Sequence, residues 1–121
     1  VADLIRRLDV RPPDPSLPAR ALSGGNQQKL LFARWLMGRF HTLLLDEPTH
    51  GIDVAAKRAV LRLVDGFARD GGGVLLASAE LHELLSIADE VTALRGGAVR
   101  MRAARGEPAF TEGALRGALG G

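Results

Sequence analysis

Strands alternating with helices predict an α/β fold with a mostly parallel sheet for this 121-residue chain. Two short, continuously apolar runs, Leu43-Leu44-Leu45 and Val74-Leu75-Leu76, have the length and the flanking turn residues of buried parallel strands. Around them lie stretches whose apolar residues recur at helical spacing. Gly96-Gly97, between two further apolar segments, adds a hairpin.

The elements follow in order. Residues 1–9 read as the end of a helix, with Leu4, Ile5 and Leu8 on one face and Arg6 and Arg7 opposite. Four prolines in the eight residues from Arg11 to Pro18 exclude helix and inner strand, so this stretch is a loop. Ser23 is the expected N-cap of a helix striped by Leu30, Ala33, Leu36 and Met37, with Gly38 after its last turn. Trp35 falls on the same helix and is assigned to core packing. Thr42-Leu43-Leu44-Leu45-Asp46 is the first strand.

Asp53 is placed to cap a second helix, in which Val60, Val64 and Phe67 share a face and which Gly71-Gly72-Gly73 ends. After the strand Val74–Ala77, Ser78 is the expected cap of a third helix striped by Leu81, Leu84, Leu85 and Ala88. Glu90–Leu94 and Val99–Met101 form the hairpin, and Thr111 caps a short final helix. No repeat or low-complexity block interrupts the chain, and residues 1–121 read as part of one domain.

Composition narrows the function classes. Hydrophobic residues make up 46% and charged residues 25%, as in ordinary globular proteins. No apolar stretch approaches the roughly 20 residues that cross a bilayer. No basic-then-apolar leader opens the chain, so no secretory signal is expected. Cysteine is absent, which excludes disulfides and thiolate metal sites, and His41, His50 and His82 lack metal-ligand spacing. The net charge is +2, and the densest basic group is Arg95, Arg100, Arg102 and Arg105. With one Trp, no Tyr and four Phe to interleave, that group reads as a solvated edge rather than a nucleic-acid face. A cytoplasmic protein fits these features.

Three constellations carry chemistry. In Leu22-Ser23-Gly24-Gly25-Asn26-Gln27-Gln28-Lys29, two glycines at a helix start let backbone N–H groups approach an anion, where the helix dipole adds about half a positive charge. In Leu43-Leu44-Leu45-Asp46-Glu47-Pro48-Thr49, adjacent carboxylates end an apolar strand. Asp46 suits the water shell of a magnesium ion, and Glu47 suits a base that polarises an attacking water. Gly51-Ile52-Asp53-Val54 follows at once. Taken singly, each has a simpler structural explanation: a capped helix, a solvated strand end, a helix cap.

In this order and spacing, the three resemble the signature motif, the Walker B strand with its catalytic Glu, and the D-loop of ATP-binding cassette ATPases. Asn26-Gln27-Gln28-Lys29 with Gly51-Ile52-Asp53-Val54 is similar to the second cassette of bacterial simple-sugar importers of the ribose, galactose and xylose type. The resemblance implies a P-loop NTPase-like fold, of which this chain is the C-terminal part. No Gly-x-x-x-x-Gly-Lys-Ser/Thr is present, so the phosphate-loop strand is missing. The strands Leu43–Leu45 and Val74–Leu76 are therefore expected to keep an unpaired edge or an exposed apolar face.

The resemblance also implies ATP and Mg2+ as cofactors, with Asp46 toward the metal and Glu47 as the catalytic base. Ser23, Gly24, Gly25, Asn26, Asp46 and Asp53 would be nucleotide-site residues. Each nucleotide in such proteins lies between one cassette's phosphate loop and its partner's signature motif, so a partner cassette is implied. Permease subunits and, through them, a sugar-binding protein complete the assembly at the cytoplasmic face of the bacterial inner membrane. Nucleoside importers share the Asn-Gln-Gln-Lys form and are the nearest alternative. A truncated, non-catalytic cassette remnant is the alternative of a different class.

One departure matters. The family places a His just after the next strand, against the γ-phosphate, and here Ser78-Ala79-Glu80 puts Ala79 there. Ala cannot donate a hydrogen bond, so hydrolysis at this cassette's own site is expected to be weak. With a helix begun by Ala79, His82 lies a turn further along and reads as a surface residue. His50 is expected to face solvent beside the D-loop.

Overall fold

The computed structural model of the chain describes residues 5–6, 8–38 and 40–120, which form two compact units, Val1–Ala77 and Ser78–Gly121. Leu4, Arg7 and the side chain of Leu36 lie outside the described residues.

In the first unit, a 3-10 turn over Ala19–Ala21 precedes α1 (Gly24–Leu36), β1 (Thr42–Asp46), α2 (Val54–Arg69) and β2 (Gly73–Ala77). Ile5 and Arg6 are helical, and the proline-rich stretch after Val10 is an exposed loop, as its composition requires. Ile5, Leu8, Val10, Leu22 and Ala33 form one core cluster, against which Leu30 and Leu63 pack. Amphipathic α2 buries Ala56, Val60 and Val64 on one side.

The face of α1 differs from the expected stripe. Among the described side chains Lys29, Phe32 and Ala33 are buried, Leu30 is half-buried and Met37 is exposed. At 100° per residue, Trp35 and Leu31 lie on the side away from Lys29 and Ala33. Trp35 is consequently 49% exposed, not a core residue, and its ring meets Phe40 at 5.8 Å.

β1 and β2 pair in parallel, with Leu43 opposite Val74, Leu44 opposite Leu75 and Leu45 opposite Leu76. Parallel pairing matches the sequence reading, but burial does not extend along the strands. Leu43 is buried, whereas Leu44 and Leu75 are 74% and 68% exposed. Side chains alternate across a strand, and α2 covers β2 on one face of this two-stranded sheet. Leu44 and Leu75, paired on the other face, meet no second layer among the described residues.

The second unit comprises α3 (Leu81–Ile87), β3 (Glu90–Arg95), β4 (Ala98–Ala104) and α4 (Glu112–Leu119). β3 and β4 are antiparallel, joined through Gly96 and Gly97 at φ +59° and +74°. Two successive positive φ values are what a two-residue hairpin turn of this hand demands, and glycine meets that demand without a Cβ penalty. Val91, Ala93, Ala103 and Leu115 form its core, with Leu81, Leu85 and Ala88 of the expected α3 stripe packed against it. Thr111 caps α4 as anticipated, its Oγ1 accepting from the Ala114 N–H at 3.2 Å.

Ser78 does not cap α3. The helix starts at Leu81, and Ser78 Oγ accepts from the Glu80 N–H at 3.0 Å, closing a turn before the helix. Ala79 thus lies in a bend, so the premise that the helix has begun there fails. His82 is nonetheless exposed, as a surface residue should be. The four arginines are exposed too, and two have structural partners. Arg102 faces Glu90 at 3.4 Å, while Arg105 donates to the Leu85, Ser86 and Ala88 carbonyls at the end of α3 and lies over the Phe110 ring.

Candidate functional site

The first unit brings the three sequence constellations together at the N-terminal ends of α1 and α2 and the C-terminal end of β1. Ser23 occupies the N-cap position of α1 with an extended backbone, but no side chain caps the first turn. Its Oγ instead accepts from Asn26 Nδ2 at 3.0 Å. That corrects the expected cap, and the cause is local. Asn26 Nδ2 also donates to the Arg11 carbonyl at 2.8 Å, and the Arg11 N–H donates to Asn26 Oδ1 at 3.2 Å, so the proline-rich segment holds the amide beside the hydroxyl. First-turn N–H groups have no intrahelical partner, and at an exposed Ser23-Gly24 they can face an anion. Asn26 fastens this turn to the Arg11 segment.

Gly25 stands where α1 meets the start of α2. A Cβ there would lie 3.1 Å from Ala56 Cβ and 3.1 Å from Asp53 Oδ2, whereas Gly24 has open space around it. A side chain at the second glycine would crowd Ala56 and Asp53 of this same chain, a reason for its small size that is invisible in the linear motif.

β1 ends at Asp46, whose side chain is exposed, and Glu47 turns the chain at φ +44°. Left-handed backbone costs a residue with a Cβ roughly 1–2 kcal/mol. The turn is held by the Glu47 N–H donating to the Ala77 carbonyl at 2.9 Å and by the His50 N–H donating to the Glu47 carbonyl at 3.1 Å. Pro48 and Thr49 are buried behind it, while His50 is exposed as expected.

Asp53 caps α2, its Oδ1 accepting from the Ala56 N–H at 2.9 Å. That bond, ahead of weaker help from the Ala55 and Asp53 N–H groups and from Lys29, outweighs desolvation and holds the carboxyl below the ordinary 3.8. A depressed folded pKa contributes stability that is complete above the unfolded pKa and is lost as pH falls through the folded one. Wild type should accordingly exceed Asp53→Asn in thermal stability at neutral pH. The gap should close in acid below 3.8, read from unfolding curves against pH. A gap that widens on acidification would contradict the capping geometry.

Two side chains that the motif roles left out connect these parts. Gln28 Nε2 donates to the Pro48 carbonyl at 3.0 Å, and the largely buried Lys29 donates through Nζ to the Asp9 carbonyl at 2.9 Å. Their polarity on an amphipathic helix was visible in sequence; which distant carbonyl each reaches was not. Ala79 lies in the second unit, two residues after β2 ends.

Comparison with known proteins gives the family. The ABC transporter family model matches residues 1–50. Ribose import ATP-binding protein RbsA 2 of Mesorhizobium japonicum is 42% identical over 87% of the chain and 21% of its own length. Galactofuranose transporter ATP-binding protein YtfR of Escherichia coli K12 is 48% identical over 75% of the chain and 18% of its own length. In structure, the dimeric bacterial ABC transporter cassette MJ0796 superposes with a TM-score of 0.71 over 84% of the chain and 44% of its own, at 20% identity. The chain belongs to the ATP-binding cassette family, and its fold is that of part of a P-loop NTPase cassette. It spans about a fifth of the length of the curated relatives it matches.

Proposed function

We propose that this chain is the C-terminal part of one ATP-binding domain in an importer ATPase that powers uptake of a simple sugar. The observation that carries this reading is the meeting of all three motif segments in one unit: Gln28 on the Pro48 carbonyl, and Gly25 against Asp53 and Ala56. Relatives named for ribose and galactofuranose transport support the sugar class.

In this reading, the Ser23-Gly24-Gly25 turn, exposed at Ser23 and Gly24, serves ATP held by a partner cassette, its first-turn N–H groups facing the phosphates. Asp46 and Glu47 face this cassette's own nucleotide. Asp46 is an exposed carboxylate at a strand end, a hard oxygen donor of the kind a hydrated Mg2+ accepts. Bound there, the metal would neutralise phosphate charge. Glu47 accepts a proton from, and so orients, the attacking water. Asn26 and Asp53 hold the signature turn and the D-loop in place. Relatives named as import ATP-binding proteins support a peripheral place on permease subunits at the cytoplasmic face; no helix among the described residues is long and apolar enough to cross a membrane.

The 121 residues alone should bind ATP weakly, because the phosphate-cradling loop and its Lys supply most ground-state affinity and are not among them. Titration of the purified chain with a fluorescent ATP analogue checks this. Tight, magnesium-dependent binding by the monomer would contradict the assigned division of labour.

A further inference from the structure

The hydrogen bond from Gln28 Nε2 to the Pro48 carbonyl spans 20 positions of sequence and reaches the residue next to Glu47. Gln28 is half-buried and Pro48 is buried, so this bond sits at a packed junction rather than in open water. Gly25, three positions earlier on the same side of α1, rests on Asp53 and Ala56. The start of α1 therefore touches the segment from Pro48 to Ala56 at two points. One contact would leave the helix free to pivot; two fix its rotation and its slide together.

We propose that Gln28 is a positioning residue, whose amide registers the Ser23-Gly24-Gly25 turn on the turn that carries Glu47. A change at Glu47-Pro48, in this cassette's own site, is thereby passed to the signature turn that serves the partner's ATP. The bond runs from a side chain to a backbone carbonyl, so it requires a donor at position 28 and no particular side chain at position 48. The inference rests on the reading of Ser23–Gly25 as nucleotide-facing.

The test uses the intact importer that carries this chain. Gln28→Met keeps the length and apolar stem but removes the donor, and Gln28→Lys restores one. Loss of a single such bond should lower kcat for ATP about tenfold with little change in KM. Hydrogen exchange across residues 24–28, followed by mass spectrometry on the same preparation, should accelerate by a similar factor. Gln28→Lys should recover both. In a double-mutant cycle, Gln28→Met and Gly25→Ala should be non-additive, because both disturb one register. Faster exchange with unchanged turnover would show a merely structural bond and overturn the proposal, as would unchanged exchange. Gly24→Asp separates this from the parent reading, since position 24 has open space. If Gly24→Asp leaves hydrolysis intact, both readings fall. If it abolishes hydrolysis while Gln28→Met is silent, only the positioning role falls.

Discussion

In the sugar importer proposed to carry this chain, Gly25→Asp should nearly abolish sugar-stimulated ATP hydrolysis, while Glu47→Gln should cost far less. The asymmetry follows from two observations. The Ser-Gly-Gly turn is complete, with Ser23 and Gly24 exposed, and in the proposed reading it closes over ATP held by the partner cassette. Ala79 stands where the family carries its γ-phosphate His, and Ala offers developing phosphate charge no side-chain donor. Losing one preorganised donor costs on the order of 10²–10³ in rate where this has been measured for acyl transfer. On the proposed reading, the site containing Glu47 would therefore contribute little turnover to lose. At position 25, the Cβ of an Asp starts 3.1 Å from both Ala56 Cβ and the Asp53 carboxylate, a steric and like-charge conflict that displaces the turn and adds a negative charge beside it. ATPase assays of both variants decide the matter, and equal losses would mean that both sites turn over.

Leu8→Ala should destabilise the first unit by about 2–5 kcal/mol. Leu8 is 1% exposed and sits in the cluster of Ile5, Val10, Leu22 and Ala33, which anchors the chain ahead of α1. Whole domains are stable by only about 5–15 kcal/mol, so the variant should lose much of its folded population. Urea unfolding of the 121-residue chain measures this. A loss under about 0.5 kcal/mol, the range of ordinary surface changes, would contradict the packing of that cluster.

Much of this was legible in the chain. The bounds of β1, the cap at Asp53, the Gly96-Gly97 hairpin and the cap at Thr111 follow from local rules: an apolar run between turns, an acid or hydroxyl before a helix, paired glycines between strands. Errors arose where a local rule met a competitor. Ser23 and Ser78 both have cap chemistry, but Asn26 occupies the first hydroxyl and the Glu80 N–H the second. Trp35 and Met37 are exposed rather than in the core because the core-facing side of α1 is chosen by Leu22, Leu8 and Leu63, which meet Ala33 and Leu30 and are distant in sequence. The apolar runs by themselves read as buried strands, but without the phosphate-loop strand an exposed apolar face is expected, and Leu44 and Leu75 supply it, because burial of a strand depends on a second layer. Within the candidate site, sequence supplied the residue types. It did not supply the reach of Gln28 to Pro48 or the seating of Gly25 on Asp53, since both contacts join segments more than 15 residues apart.

The central claim is that the Ser23–Gly25 turn closes on nucleotide bound by a partner cassette. The chain has no cysteine, so Ser23→Cys places a single thiol of its own at that turn. Its alkylation in the assembled importer, followed on the peptide that contains it, tests the claim directly. ATP and Mg2+ under conditions that prevent hydrolysis should strongly slow the modification, and removing the nucleotide should restore it. A rate unaffected by nucleotide would contradict the account.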